Sequence, residues 1–205
     1  KTRSFFQISH LVMFEEIRQH IHTISPIEDS DWEMVEPHLR QKHFKKNEFY
    51  FQAGSIENQI AFISQGSFKW YYLNKKGSEI IMHFSFENEF IVEFQSFITQ
   101  KPSSLFLQAM ENSTVVLFPK RDLILNYYKL SHNWSEVSRK IAQEVYVFTA
   151  ERVQDFLIRS AEERYLNLLK RHPDIFNRVS LANLASYIGI AGPSLSRIRR
   201  RLSQK

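Results

Sequence analysis

The spacing of apolar residues changes twice along the chain, and each change predicts a different kind of element. In residues 4–24 the later apolar positions recur every three or four residues, which predicts an amphipathic helix. Its apolar side chains are Phe5, Phe6, Ile8, Leu11, Phe14, Ile17 and Ile21. A second helix is predicted next, with Ser30 and Asp31 able to cap its start. Its apolar side chains are Trp32, Met34, Val35 and Leu39. Both helices are expected to cover the segment that follows.

Between residues 42 and 119 the apolar period falls to two. Short apolar and aromatic runs alternate there with turn residues, which predicts about seven or eight strands. Gly54, Gly66 and Gly77 each end such a run, as expected where the chain turns with positive φ. Close strand spacing with short connections favours an antiparallel barrel or roll over parallel βαβ units.

Helical spacing returns after the strands. It predicts a short helix over residues 120–128, a long one over 133–158 and a third over 161–171. The long helix is apolar on more than one side, because Tyr146, Val147 and Ala150 lie apart from its other apolar positions. Those positions are Val137, Ile141, Val145, Phe148, Val153, Phe156 and Leu157. We expect the second side to pack on the same helix of another chain; the alternative is burial between two domains of one chain.

Two short helices across a tight turn are predicted over residues 180–202. Ser180 can cap the first helix, Gly189 can end it in the left-handed conformation, and Pro193 suits the first turn of the second. The apolar face of the first helix is formed by Leu181, Leu184, Ala185 and Ile188. The apolar sector of the second is formed by Leu195, Ile198 and Leu202. Arginines occupy its opposite side, a pattern typical of a helix-turn-helix that lays its second helix in the DNA major groove.

The outer face of the second helix supplies the candidate DNA contacts. Arg197 lies early in the helix, where a guanidinium can bond guanine O6 and N7, and Arg200 and Arg201 can meet phosphates. Ser194 and Ser196 complete the predicted set. The alternative is an ordinary helical hairpin whose basic face is only solvated.

Charge and composition narrow the class of protein. The 205 residues carry a net charge of +5, and six Lys or Arg but no Asp or Glu lie from residue 175 onward. The chain contains no cysteine, which excludes disulfides, cysteine nucleophiles and iron–sulfur clusters. Nucleophile and phosphate-loop motifs are missing, His83 is a lone strand histidine, and His20 and His22 precede the strands. We therefore expect no enzyme, no cofactor and no metal site. Without a long apolar run or a signal-peptide pattern, a cytoplasmic protein that makes no membrane contact is expected.

The order of these parts resembles the Crp/Fnr family of bacterial transcription regulators, especially the subset common among Bacteroidetes. The resemblance is carried in the strand region by FKKNEFYFQAG (44–54), AFISQGSFKWYYLNKKG (61–77) and NEFIVEF (88–94). Near the end of the chain it is carried by SAEERYLNLLKRHPDIFNRVSLANLASYIGIAGPSLSRIRRRL (160–202), which is similar to the family's hinge and DNA-binding module.

The resemblance implies an α+β fold: an N-terminal antiparallel β-roll (a double-stranded β-helix) with flanking helices, a long dimerisation helix and a C-terminal helix-turn-helix domain. The expected division is a cyclic-nucleotide-binding-like sensor roll in 1–132, a connecting and dimerisation helix in 133–158, and a DNA-binding domain in 159–205. The implied function is that of a sequence-specific transcription regulator acting as a homodimer on a palindromic operator. Its expected partner is double-stranded DNA, with RNA polymerase and an unidentified small-molecule effector as further candidates.

The ligand site departs from the family pattern. In the family that this chain resembles, members that bind cyclic AMP carry a Gly-Glu pair, followed about ten residues later by an arginine and a small hydroxyl residue. Here those pairs read Val92-Glu93 and Ser103-Ser104, so the phosphate-binding arginine is absent. Thr149 matches the position whose hydroxyl meets the base, which makes Glu93, Ser103, Ser104 and Thr149 the candidate ligand pocket. A response to cyclic AMP is not expected. The alternatives are a cyclic-nucleotide-responsive regulator that combines Glu93 with a non-standard phosphate site, and a protein-interaction module with degenerate DNA binding.

Overall fold

The computed structural model describes the backbone of residues 2–202 and the side chains of residues 13–202. The helices are α1 (Thr2–Ile24), α2 (Asp29–Val35), α3 (Phe94–Thr99), α4 (Arg121–Leu130), α5 (His132–Ile158), α6 (Ala161–Arg171), α7 (Ile175–Arg178), α8 (Leu181–Ile188) and α9 (Gly192–Leu202). The strands are β1 (Arg40–Phe44), β2 (Phe49–Phe51), β3 (Gln59–Gln65), β4 (Phe68–Leu73), β5 (Glu79–Ser85), β6 (Phe90–Ile91), β7 (Phe106–Ala109) and β8 (Ser113–Lys120). The α+β fold with flanking helices and one long helix is the predicted one.

The described chain divides into two compact units. The first contains the residues up to Phe68 together with Ser85–Val145. The second contains Lys69–Phe84 and the residues from Tyr146 onward. The second unit therefore joins the hairpin formed by β4 and β5 to the C-terminal helices, although 61 residues of chain separate the two segments.

Antiparallel pairing organises the strands, as the sequence predicts. In the first unit one sheet has the order β1-β8-β3-β6, and β2 pairs with β7. Phe62 of β3 lies opposite Val116 of β8, and both side chains are buried. In the second unit β4 and β5 are joined by a tight turn, in which Gly77 donates its N–H to the carbonyl of Asn74 with φ at +77°.

The core of the first unit lies between its sheet and the helices α1, α2, α4 and α5. Ile17 and Ile21 of α1 are fully buried, which confirms the predicted covering helix. The predicted apolar positions Phe5, Phe6, Ile8 and Leu11 lie outside the described side chains. The other members of this buried cluster include Trp32, Val35, Phe62, Val116, Ile124 and Trp134.

Of the two residues predicted to cap the second helix, Ser30 is wrong, whereas Asp31 takes part as the third helical residue of a capping box. α2 begins at Asp29 after an N-cap at Glu28, and the carboxylate of Asp31 reaches back to accept the Glu28 N–H at 2.9 Å. Asp31 is buried because it also accepts hydrogen bonds from Ser131 and from Asn133. A 3-10 turn at Glu36–His38, which contains Pro37, follows α2, so the helix ends before Leu39.

Among the helices of residues 2–202, none combines the length and the apolar character that crossing a membrane requires.

Candidate nucleic-acid interface

The turn between α8 and α9 is built by the two local signals that the sequence contains. The Ser180 hydroxyl accepts the Asn183 N–H at 3.2 Å and so caps the start of α8. Gly189 ends α8 in the left-handed conformation with φ at +80°, and its N–H donates to the carbonyl of Ala185. Both details are as predicted.

The buried face of α8 differs from the prediction at two positions. Leu184, Ala185 and Ile188 are buried as expected, whereas Leu181 is 43% exposed. Leu181 is the first residue of the helix, where the buried face has not yet begun to contact its neighbours. Tyr187 is buried instead, a position that the sequence analysis left out.

The recognition-type helix α9 has one buried and one exposed side. Leu195 is only 1% exposed, and Ile198 and Leu202 are partly buried. Of the five predicted DNA contacts, Ser194 is partly buried and four are exposed. The exposed four are Ser196, Arg197, Arg200 and Arg201.

The arginines of α9 differ in what they already contact. Arg197 donates to the Ser194 hydroxyl at 3.2 Å, so these two predicted contacts lie together. Arg201 forms an ion pair with Glu162 of α6. Arg199 is partly buried, and its guanidinium lies 4.4 Å from the centre of the Phe176 ring. The outer face therefore combines arginines in different environments rather than one uniform basic patch.

Two arginines from other helices hold the C-terminal end of α8. Arg152 of α5 donates to the Tyr187 carbonyl, and its guanidinium lies 3.7 Å from the Tyr187 ring centre. Arg164 of α6 donates to the Ile188 carbonyl at 2.9 Å. Both guanidinium groups also lie within 5 Å of the Phe156 ring centre. Cations are favoured at a helix C-terminus, where backbone carbonyls carry partial negative charge.

The sequence analysis missed both of these arginines. Arg152 and Arg164 sit singly within helices, and no spacing in the sequence marks them. Burial lowers the pKa of Arg152, which is the expected effect of removing a guanidinium from water. Their role is to position α8, and through the turn α9.

Glu93 and Ser103 of the predicted ligand pocket lie together, but the carboxylate is already engaged. Glu93 is buried and caps α3 by accepting the Ser96 N–H, and it is hydrogen-bonded to the side chain of Ser103. Burial raises the pKa of Glu93. Ser104 is exposed, and Thr149 is exposed on the part of α5 that belongs to the second unit.

A second buried carboxylate, which the sequence analysis missed, adjoins Glu93. The Glu57 side chain accepts the N–H groups of Asn58 and Gln59 at 3.0 and 3.1 Å and that of Glu93 at 3.4 Å. Burial raises the pKa of Glu57 to about 7. In their charged forms these two side chains would repel an anionic phosphate. Within the described side chains, no group of three His, Asp or Glu residues is placed to hold a metal ion.

Comparison with known protein families finds a match, which lies in the strand region. Residues 41–124 match the family model described as the cyclic nucleotide-binding domain. Among curated proteins, none matches the sequence.

Solved structures share the fold over most of the chain. The c-di-GMP responsive global regulator CLP of Xanthomonas campestris is 14% identical, with a TM-score of 0.68 over 86% of this chain and 92% of that one. FixK2 of Bradyrhizobium japonicum is 18% identical, with a TM-score of 0.68 over 81% and 85%. A Eubacterium rectale protein placed in the crp/fnr family of transcriptional regulators is 12% identical, with a TM-score of 0.68 over 86% and 84%. Residues 41–124 are thus similar to the cyclic nucleotide-binding domain, and the chain shares the fold of these three solved structures.

Proposed function

We propose that this chain is a sequence-specific DNA-binding transcription regulator that acts as a homodimer on a palindromic operator. Its sensor roll would occupy residues 1–132, its connecting and dimerisation helix 133–158 and its DNA-binding domain 159–205. The observation that carries the proposal is the two-sided character of α9, in which Leu195 is buried while Arg197 is exposed. Residues two positions apart on an α-helix, such as Leu195 and Arg197, point in directions that differ by about 200°. Because the Leu195 side chain is buried, the Arg197 side chain points outward. The similarity in fold to Crp/Fnr regulators supports this reading.

Exposed apolar side chains on α5 support the homodimer. Five of them lie between residues 146 and 158 and are each more than half exposed. They are Tyr146, Val147, Val153, Leu157 and Ile158. So many apolar side chains on one helix are typical of a surface that a partner covers. A symmetric pair of chains would present two recognition helices to major grooves about 34 Å apart.

Selection of duplexes from a random DNA pool tests the proposal directly. The purified protein is expected to enrich an approximate palindrome, with half-sites one helical turn apart, at roughly 150 mM salt. Failure to enrich any sequence, with or without cell extract, would contradict specific DNA binding and favour the protein-interaction module.

Replacing Arg197 with alanine is expected to weaken operator binding by about 1 to 3 kcal/mol and to relax specificity at one base position. Arg201→Ala is expected to weaken all duplexes alike, because a phosphate contact carries no sequence information. Competition titrations with operator and random duplexes measure both effects. Lys45→Ala is the matched control, since it removes one positive charge from an exposed position outside the proposed dimerisation and DNA-binding segments. If Arg197→Ala also weakened the operator and the random duplex equally, as is expected of Arg201→Ala, the assignment of Arg197 to a base contact would be contradicted.

Cyclic-nucleotide binding is the second candidate function, because residues 41–124 match that domain. We propose that cyclic AMP is not the effector, since Glu93 already caps α3 and Glu57 adds a second carboxylate beside it. A calorimetric titration with cyclic AMP is expected to show no binding. Micromolar binding that Glu93→Gln abolishes would contradict this and establish a non-standard phosphate site. RNA polymerase and another small effector remain the further proposed partners.

A further inference from the structure

The hairpin of β4 and β5 belongs to the same compact unit as α8 and α9. Its residues Lys69–Phe84 cluster with the C-terminal helices, whereas the flanking residues Phe68 and Ser85 cluster with the first unit. The hairpin is therefore covalently continuous with the sheet-bearing unit at both of its ends.

Ser186 of α8 joins the hairpin by two hydrogen bonds. Its hydroxyl donates to the Glu79 carbonyl at 2.8 Å and accepts the Ile81 N–H at 3.0 Å. β5 is an edge strand, and residues 79 and 81 point their backbone groups to the same side of it. The Ser186 hydroxyl thus makes the two hydrogen bonds that a neighbouring strand would make with Glu79 and Ile81 at this unpaired edge of the sheet.

Aromatic packing reinforces this contact at the next residue of α8. The Tyr187 and Phe84 rings lie 5.3 Å apart, and both side chains are buried. Tyr187 is also the residue whose ring and carbonyl contact Arg152. The hairpin and α5 therefore converge on two consecutive residues of α8.

With the hairpin docked, the outer face of α9 is exposed. In this arrangement Ser196, Arg197 and Arg200 are all exposed. Docking therefore does not occlude the side chains that would contact DNA. It fixes α8, and α8 carries α9 through the short turn at Gly189.

We propose that the hairpin is the positioning element of the helix-turn-helix, and that docking through Ser186 holds it in the DNA-competent orientation. This inference rests on the proposed DNA-binding function. It makes Ser186 a regulatory residue without a DNA contact. An effector or partner that displaces the ends of the hairpin weakens operator binding by withdrawing β5 from Ser186.

Ser186→Ala tests this inference, with Ser186→Thr as the variant that keeps the hydroxyl. Alanine is expected to accelerate hydrogen exchange at the Ile81 amide about tenfold, because that N–H loses its acceptor. It is expected to weaken operator binding about tenfold, within the range of typical couplings between sites, and to leave binding to random duplexes unchanged. Threonine is expected to restore both properties. Leu181→Ala, on another side of α8, is the control for a general disturbance of the helix.

The possible results of these measurements distinguish a failure of the docking proposal from a failure of the proposed DNA-binding function. Unchanged exchange at Ile81 in Ser186→Ala would overturn the docking contact. Faster exchange with unchanged operator binding would overturn the coupling while the DNA-binding function stands. Tighter operator binding would also overturn the inference, because the docked state would then be the inhibited one. Absence of specific binding by the wild-type protein would refute the proposed function itself.

Discussion

Gly189→Ala should lower the free energy of unfolding by about 2 to 5 kcal/mol and impair operator binding. Gly189 has φ at +80°, a conformation that costs an L-residue roughly 1 to 2 kcal/mol. An added Cβ would also lie 2.6 Å from a ring carbon of Phe156. Forcing extra volume into a packed site costs about another 1 to 3 kcal/mol. Urea denaturation followed by circular dichroism measures the stability loss, and a titration with operator DNA measures the functional loss.

Phe156 cannot move aside without consequence for α8. Its ring contacts the guanidinium groups of both Arg152 and Arg164, which donate hydrogen bonds to the last carbonyls of that helix. Displacing the ring disturbs both contacts at once. The effect on DNA binding should therefore exceed what the conformational cost at Gly189 alone would produce.

Gly192→Ala is the matched control for this change. A Cβ at Gly192 would meet no heavy atom of the described chain within 4 Å, and Gly192 begins α9. Alanine is favoured over glycine inside a helix by up to about 1 kcal/mol. Gly192→Ala should therefore leave stability unchanged or slightly raised. Equal destabilisation by the two changes would contradict a specific role for the turn conformation at Gly189.

The turn could be predicted from the sequence because its determinants are local. The Ser180 cap depends on an N–H three residues away, and the Gly189 cap depends on one residue's own conformation. The period-two pattern likewise predicts the antiparallel strands, since alternation is a property of the strand itself. The order of these parts and their motifs then indicated the fold that the solved structures share.

The contacts that position the turn could not be predicted, because their partners are distant in the sequence. Ser186 is 105 residues from Ile81, and nothing near either residue marks the pair. The additional contacts of Asp31 have the same cause. Asp31 resembles a local cap in the sequence, yet its buried carboxylate also serves Ser131 and Asn133, about a hundred residues later. Glu93 was predicted as a residue of the ligand pocket, whereas its use as the cap of α3 beside Glu57 could not be predicted.

Leu157→Asp should abolish the proposed dimer and weaken operator binding by at least a hundredfold. Leu157 is 77% exposed on the apolar part of α5. In a two-fold symmetric pair the substitution occurs twice, so two leucine contacts are lost and two carboxylates are introduced. Each buried leucine contributes about 1.5 to 3 kcal/mol, and two linked half-sites bind far more tightly than one. Sedimentation velocity and operator titration, both at micromolar protein, measure the two losses.

Leu130→Asp separates dimerisation from a general effect of placing a charge on an exposed leucine. Leu130 has the same 77% exposure but lies at the end of α4, away from the apolar part of α5. It should leave both the sedimentation coefficient and operator binding unchanged. A monomeric wild-type protein would contradict the dimer, and so would a Leu157→Asp protein that still sediments as a dimer. If the Leu157→Asp protein were monomeric yet bound the operator normally, a single chain would bind one half-site. Dimerisation would then not explain a palindromic operator.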